Sequence, residues 1–81
     1  MNPESETLRM AAREVVSEIA RKVVSDDECV VSTGLVDSLS VIKLIVLLEE
    51  KLHIRIPRQL VQPEDFDSVE IILQTLERVS K

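Results

Sequence analysis

The residues most able to do chemistry in this chain are Asp37 and Ser38, which lie directly before a long apolar segment. A carboxylate and a hydroxyl in this place favour the start of a helix, because both can accept hydrogen bonds from its first N–H groups. The start of a helix also carries a partial positive charge, so a phosphate esterified to the Ser38 hydroxyl would be stabilised there. Two interpretations follow: Ser38 is either a simple helix cap or the attachment point of a phosphate-linked group.

The other polar residues offer Ser38 no catalytic partner. His53, the one histidine, lies at the far end of the same predicted helix, about 22 Å from Ser38 at 1.5 Å per residue. A nucleophilic serine and its base must lie within hydrogen-bond distance of each other. The chain also lacks a glycine-rich phosphate loop, and one histidine with one cysteine cannot form a zinc or iron site. We therefore predict no catalytic residue and no metal site, and we place His53 at a helix C-terminus, where a cation is favoured.

The composition indicates what kind of molecule holds Ser38. With 81 residues, 44% of them hydrophobic, the chain suits a single domain, residues 1–81, whose core extends over about residues 6–80. A net charge of −5 and a single aromatic residue argue against nucleic-acid binding, which relies on basic surface and stacking rings. The longest apolar run, Leu44 to Leu48, is too short to span a membrane, and Met1 to Arg9 does not resemble a signal peptide. We expect a cytoplasmic protein.

Hydrophobic residues at helical spacing predict a long helix at each end of the chain. The first should run from Glu6 to Val24, and the last from a capping pair, Asp67 and Glu70, to about Ser80. Each helix carries one apolar stripe, as a helix packed on one side requires. The stripes consist of Leu8, Ala12, Val15, Val16, Ile19 and Val23 in the first helix and of Val69, Ile72, Leu73, Leu76 and Val79 in the last.

A loop from Ser25 to Asp37 should connect the first two helices. Val30 and Val31 should enter the core from this loop. Gly34, the only glycine, should adopt a backbone conformation that other residues resist. We interpret Cys29 as a small apolar core residue rather than a reactive thiol, because its acidic and apolar neighbours disfavour a thiolate.

The predicted second helix, Leu39 to His53, is apolar on two sides. The side expected to face the core consists of Val41, Leu44, Ile45, Leu48 and Leu52. The opposite side consists of Leu39, Lys43, Val46, Leu47 and Glu50, of which the three apolar residues should be partly exposed. An exposed apolar patch usually marks a contact surface, although a helix buried nearly all round would explain the same residues. Because a small domain has few neighbours to cover the helix, we favour a partner-binding face.

The remaining segment should cross the bundle and lead into a short helix. Ile54 to Pro57 should be an extended crossover, since no second strand is present to pair with it. Leu60 and Val61 should return to the core. Pro63 to Phe66 suits a short helix with proline in its first turn, and Phe66 should anchor the packing. The sequence thus predicts an all-α fold, a small four-helix bundle with three long helices and one short helix.

Several segments in this order match a known pattern. They are Gly34-Leu35-Val36-Asp37-Ser38-Leu39, Ile42, Glu49-Glu50, Leu52, Ile54-Arg55-Ile56-Pro57 and Phe66-Asp67-Ser68-Val69. Over roughly residues 8 to 80 the chain resembles the acyl and peptidyl carrier protein family. The run Gly-Leu-Val-Asp-Ser-Leu looks closer to free-standing aminoacyl carriers, such as the D-alanyl carrier and discrete peptidyl carriers, than to fatty-acid carriers.

The resemblance implies a function for Ser38. In the family, the serine of the Asp-Ser-Leu motif carries a phosphopantetheine arm, which maps onto Ser38 with Asp37 and Leu39 as its motif neighbours. A phosphopantetheinyl transferase would add the arm, and an ATP-dependent acyl or aminoacyl ligase would load its thiol with a thioester. A downstream acyltransferase or modifying enzyme would then accept the aminoacyl or acyl group. The domain would be a non-catalytic carrier rather than an enzyme.

The predicted docking face departs from that of the fatty-acid carriers, whose second helix is acidic and docks on basic patches. Lys43 replaces a residue that is usually acidic there, and Leu47 replaces one that is often small. Residues 38–81 hold six basic and seven acidic groups, so this half of the chain is nearly balanced. We therefore expect a dedicated partner with a more apolar surface. Two alternatives stay open: a carrier of fatty or polyketide acyl chains, and an unmodified helical interaction module in which Ser38 is only a cap or a phosphorylation site.

Overall fold

Three α-helices and two short 3₁₀ helices form the fold in the computed structural model, which describes residues 3–79, with side chains from residue 6 onward. The α-helices are α1 (Pro3–Ala20), α2 (Ser38–Leu52) and α3 (Val69–Val79), and the 3₁₀ helices are Arg58–Leu60 and Pro63–Phe66. No β-strand occurs within residues 3–79, and none of the helices there is long and apolar enough to cross a membrane. The predicted all-α bundle is confirmed, including the short helix that begins at Pro63.

The core lies where the three α-helices meet the loop between α1 and α2. Val41, Leu44, Ile45 and Leu48 of α2 are buried as predicted, and Phe66 is fully buried against them in the same cluster. The other core residues are Ala12, Val15, Val16, Val24, Val30, Val36, Ile56, Val69, Ile72 and Leu76. The partly buried residues packed on the core include Ile19, Val31, Leu47, Leu52, Val61 and Leu73. Phe66 is therefore the packing anchor that the sequence predicted.

The end of α1 differs from the prediction. The helix ends at Ala20 rather than at Val24, because Arg21 adopts a left-handed backbone conformation with φ 60°. The Lys22 N–H then donates to the Ser17 carbonyl at 3.2 Å, which is the hydrogen bond of a Schellman motif. This turn breaks the helical register, so that Val24 is buried and Val23 is 88% exposed. The prediction that Val23 belongs to the core stripe is wrong.

Two further core predictions are wrong. Cys29 is exposed, since the loop turns its neighbour Val30 into the core instead. Leu60 is exposed as well, because the 3₁₀ turn Arg58–Leu60, which the sequence did not predict, brings Val61 against the core. The predicted end of the last helix near Ser80 lies outside the described residues.

A cluster of charged side chains ties α1 and α3 to the connecting loop, residues 21–37. Asp26 accepts hydrogen bonds from Arg13 Nε at 2.7 Å and from Arg9 Nη1 at 2.7 Å. Arg9 also pairs with Glu70, and the Glu70 N–H donates to the Asp26 carbonyl at 3.0 Å. The bonds from Arg13 and Arg9 lower the pKa of Asp26 to about 2. Asp26 thus joins three parts of the chain that are distant in sequence.

Acid should weaken this cluster. The pKa of Asp26 lies at about 2 in the folded chain against an ordinary 3.8, so its stabilisation is complete above pH 4 and is lost as the pH falls towards 2. We expect Asp26→Asn to lower the free energy of unfolding at pH 6 by about 1 kcal/mol, since the ion pairs are only partly shielded from water. The same substitution should have little effect at pH 2. Urea unfolding at the two pH values measures both.

Asp27→Asn is the matched control, because the Asp27 carboxylate accepts a hydrogen bond from Ser25 Oγ rather than from an arginine. Its free energy of unfolding should follow the wild-type pH dependence. An Asp26→Asn variant that loses as much stability as the wild type between pH 6 and pH 2 would contradict the role of the cluster.

Candidate functional site

Asp37, and not Ser38, caps the first turn of α2. The Asp37 backbone is extended, with φ −84° and ψ 176°, and its Oδ1 accepts a hydrogen bond from the Ser40 N–H at 2.8 Å. This bond lowers the pKa of Asp37. Ser38 is the first residue of the helix and is exposed. The capping role is therefore filled by Asp37, and the Ser38 hydroxyl lies at the surface beside the positive end of the helix dipole.

The loop that leads to Ser38 makes a tight, hydrogen-bonded turn. Gly34 has φ +85°, which confirms the conformation predicted for the only glycine. Its N–H donates to the Val31 carbonyl at 3.1 Å, and the Val36 N–H donates to the Val30 carbonyl at 2.8 Å. Val30 and Val36 are both buried. The chain is thus fixed in the core two residues before Ser38.

Asp67 holds the other side of this turn. Its Oδ1 accepts hydrogen bonds from the Val31 N–H at 2.7 Å and from the Ser32 N–H at 2.9 Å, and its carbonyl accepts from the Val30 N–H at 2.6 Å. Partial burial alone would raise the pKa of Asp67, but the hydrogen bonds from these backbone groups outweigh it and lower the pKa. One residue between the second 3₁₀ helix and α3 thus binds three consecutive residues of the connecting loop.

The prediction that Asp67 caps the last helix together with Glu70 is wrong. Ser68 is the residue whose Oγ accepts from the Ile71 N–H, at 3.2 Å, as a helix cap does. The Asp67 carboxylate is directed to the loop instead, and Glu70 pairs with Arg9. The sequence signal available was weak, because adjacent aspartate and serine are both favoured as caps.

The outer face of α2 begins next to Ser38 and is largely apolar. Leu39 is 76% exposed, Ile42 54% and Val46 40%, and their spacing of three and four residues places them on one face. Lys43 is exposed beside them. Leu47 is the least exposed residue of the predicted face, because it also packs against the core. Ile42 belongs to this face as well, although the sequence analysis assigned it to neither side of the helix.

The charges of α2 are mostly engaged within the chain. The Glu49 carboxylate accepts from Arg58 at 3.0 and 3.1 Å and from the Ile56 N–H at 2.7 Å, and the pairing with Arg58 is the main reason that the pKa of Glu49 is lowered. Together with the capping role of Asp37, this engages two acidic side chains at the ends of α2 in contacts within the chain. Lys43 and Glu50 are the charged residues of the predicted face that remain exposed.

Towards its C-terminal end, α2 borders an open groove. The groove is lined by Val46, Glu49, Glu50 and the segment Ile54 to Gln59.

His53 ends α2 in a left-handed conformation with φ 55°, so it lies at the opposite end of the helix from Ser38. Within the described residues, no group of three or more histidine, cysteine, aspartate or glutamate side chains is arranged to hold a metal ion.

Comparison with known proteins gives a consistent set of relatives. The chain is 35% identical over 75 residues to a D-alanyl carrier protein of Listeria monocytogenes serotype 4b, and this match covers 84% of the chain and 96% of the relative. A D-alanyl carrier protein of Listeria welshimeri is 33% identical over the same length, with the same coverage of both chains. No family model matches the chain, and no solved structure matches it significantly.

The two motif residues should differ in their effect on stability. We expect Asp37→Ala to lower the free energy of unfolding by about 0.5–2 kcal/mol, because the Ser40 N–H loses its acceptor. Ser38→Ala should change it by less than about 0.5 kcal/mol, as is usual for an exposed residue. Asp37→Asn, which keeps an acceptor oxygen, should retain most of the stability. Urea unfolding compares the three variants, and equal losses for Asp37→Ala and Ser38→Ala would contradict the assignment of the cap.

Proposed function

Because this chain belongs to the D-alanyl carrier protein family, we propose that Ser38 carries a phosphopantetheine arm and that the protein presents an aminoacyl group to partner enzymes. The names of the relatives make D-alanine the first cargo to test. The partner enzymes would perform the bond-forming steps, and this chain would serve as a non-catalytic carrier.

The observation that supports this role is that Asp37, rather than Ser38, caps α2. Asp37 supplies the cap, so the Ser38 hydroxyl is exposed at the start of α2 without being required there for the fold. A phosphodiester at this position would lie in the favourable field of the helix dipole, and Lys43 lies close enough to Asp37 to lower its pKa further. The helix dipole and Lys43 are the two local features that favour a monoanionic phosphodiester here.

The attachment step makes one ester bond and breaks one phosphoanhydride bond. The Ser38 oxygen forms a bond to the phosphorus next to the pantetheine in coenzyme A, and the bond from that phosphorus to adenosine 3′,5′-bisphosphate breaks. A base of the transferase accepts the hydroxyl proton. Ser38 must be reached from solvent for this step, and its exposed position at the helix start allows such access.

A serine side chain alone could not serve as the carrier. Its oxygen ester is a poor acyl donor, and its few atoms cannot reach from one active site to another. When attached, the arm supplies a thiol that holds the aminoacyl group as a reactive thioester at the end of a long tether. The contribution of this chain is to hold the attachment point in one orientation and to present a surface that each partner can bind.

We propose that this surface is the outer face of α2, with Leu39, Lys43, Val46, Leu47 and Glu50 as predicted and with Ile42 added. The transferase, an ATP-dependent ligase and a downstream acyltransferase would each bind beside Ser38. Three apolar side chains with only two exposed charges favour a partner whose surface is itself largely apolar. This differs from docking on a basic patch, because Asp37 and Glu49 are already engaged.

The attachment is tested by intact mass after incubation with coenzyme A and a broad-specificity phosphopantetheinyl transferase. We expect a single phosphopantetheine adduct on the wild type and none on Ser38→Ala. Ser40→Ala is the matched control, because it removes a second hydroxyl from the same helical turn but keeps the N–H that Asp37 caps. It should be modified like the wild type.

An adduct on folded Ser38→Ala would contradict the attachment site, and no adduct on the folded wild type would favour an unmodified interaction module. The modified protein then tests the cargo. An ATP-dependent D-alanine ligase should load it, whereas preferential loading by a fatty-acid ligase would contradict the aminoacyl role.

The docking face is tested with the loading ligase. We expect Leu39→Ser to raise the KM for the modified carrier about tenfold, the effect of truncating one central apolar contact. The fold should be unaffected, because Leu39 is largely exposed. Leu60→Ser, at an exposed leucine on the first 3₁₀ helix, is the matched control and should leave KM unchanged. Equal KM values for the two variants would contradict docking through α2.

A further inference from the structure

We infer that Asp67 is a positioning residue for Ser38: it holds the segment Val31 to Leu35 in the conformation that the transferase must meet. This inference rests on the proposed attachment at Ser38. It concerns a residue 29 positions further along the chain, between the second 3₁₀ helix and α3, which the motif around Ser38 does not include.

The first step is the contact itself. A single oxygen, Asp67 Oδ1, accepts from the two consecutive N–H groups of Val31 and Ser32, at 2.7 and 2.9 Å. The Asp67 carbonyl accepts from the Val30 N–H at 2.6 Å. The backbone bond would survive replacement of the side chain, so a substitution at Asp67 removes only the acceptor of the Val31 and Ser32 N–H groups.

The second step leads from Asp67 to Ser38. The Val31 carbonyl accepts the Gly34 N–H, and the Val30 carbonyl accepts the Val36 N–H, which closes the turn between these residues. Asp37 and Ser38 follow directly. Two hydrogen-bonded links therefore connect the Asp67 carboxylate to the residues on which a transferase would close.

The third step is that the segment beyond Val31, which packs on the core, is held by polar contacts rather than by packing. Besides the bonds already described, Thr33 Oγ1 donates to the Cys29 carbonyl at 2.7 Å. Ser32, Thr33, Gly34 and Leu35 are all exposed, whereas Val30 and Val36 at its ends are buried. The core thus fixes the two ends, and the middle depends on hydrogen bonds. The middle therefore needs a polar clamp, by which we mean the two hydrogen bonds from the Val31 and Ser32 N–H groups to Asp67 Oδ1. Exposed residues gain little from packing, and the entropic cost of ordering a backbone is large.

Loss of the Asp67 carboxylate should affect binding of the transferase more than the transfer step. Without the carboxylate, the segment from Val31 to Leu35 must be ordered when the transferase binds, so binding weakens. Once bound, Ser38 is still oriented by the Asp37 cap, and the transfer step changes less. Loss of the clamp should therefore act on KM more than on kcat.

The test measures phosphopantetheine transfer to the full chain for the wild type, Asp67→Ala, Asp67→Asn and Asp65→Ala. We expect Asp67→Ala to raise KM about tenfold with kcat changed less than threefold, which is a loss of ground-state and transition-state binding together. Asp67→Asn keeps an acceptor oxygen and should restore most of the wild-type KM. Asp65→Ala is the matched control, because its carboxylate accepts from the Gln62 N–H and from Arg78 rather than from the loop.

A second measurement separates positioning from general instability. Amide hydrogen exchange at Val31 and Ser32 should be faster in Asp67→Ala, while exchange at core residues of α2 such as Leu44 stays slow. All assays are run below the temperature at which half of the variant is unfolded. If Asp67→Ala does not fold, Asp67→Ser replaces it, because the shorter serine side chain cannot reach both amides.

The outcomes separate this inference from the proposed function. A modified wild type together with a wild-type KM for folded Asp67→Ala, or an equal rise in KM for Asp65→Ala, would overturn the positioning role alone. Absence of any adduct on the wild type would overturn the proposed function and this role with it.

Discussion

The connecting loop must lie against the bundle without regular secondary structure, and the site depends on how its backbone polar groups are satisfied. Buried or shielded N–H and C=O groups need partners, which a helix supplies internally and a loop does not. Residues just before α3 and in its first turn supply them here: Asp67 accepts from three consecutive loop amides, and the Glu70 N–H donates to the Asp26 carbonyl. The position of α3 therefore determines the path of the chain into α2.

The second helix performs two tasks on opposite faces. Its inner face supplies four buried residues to the core and so sets the direction of the helix axis. Its outer face leaves Leu39, Ile42 and Val46 exposed, although burial of apolar side chains is favourable. None of the described elements covers this face, and an exposed apolar surface beside a candidate attachment point suits binding by a succession of partners.

Membership of the D-alanyl carrier protein family fits the chemical simplicity of the candidate site. A carrier needs a fixed attachment point, a surface for its partners and a stable fold. Asp37 caps the helix that begins at Ser38, and Asp67 binds the loop that leads to it, so neither contact uses the Ser38 hydroxyl. The engagement of Glu49 by Arg58 and the Ile56 amide removes one acid from the outer face. Intramolecular contacts thus shape the proposed docking surface as much as composition does.

Local pattern determined the helices, most of the core and the Asp37-Ser38 motif, because helical periodicity and capping act between residues within a few positions of each other. Only the tertiary structure decided which residues the loops bury. The left-handed turn at Arg21 exchanges Val23 for Val24 in the core, and the loop exposes Cys29. It also decided that Asp67 binds a loop 35 positions earlier instead of capping its own helix. Such contacts join groups that are distant in sequence. Asp67 and Ser68 are both suitable caps for α3, and which of them caps it is decided only when the helices pack.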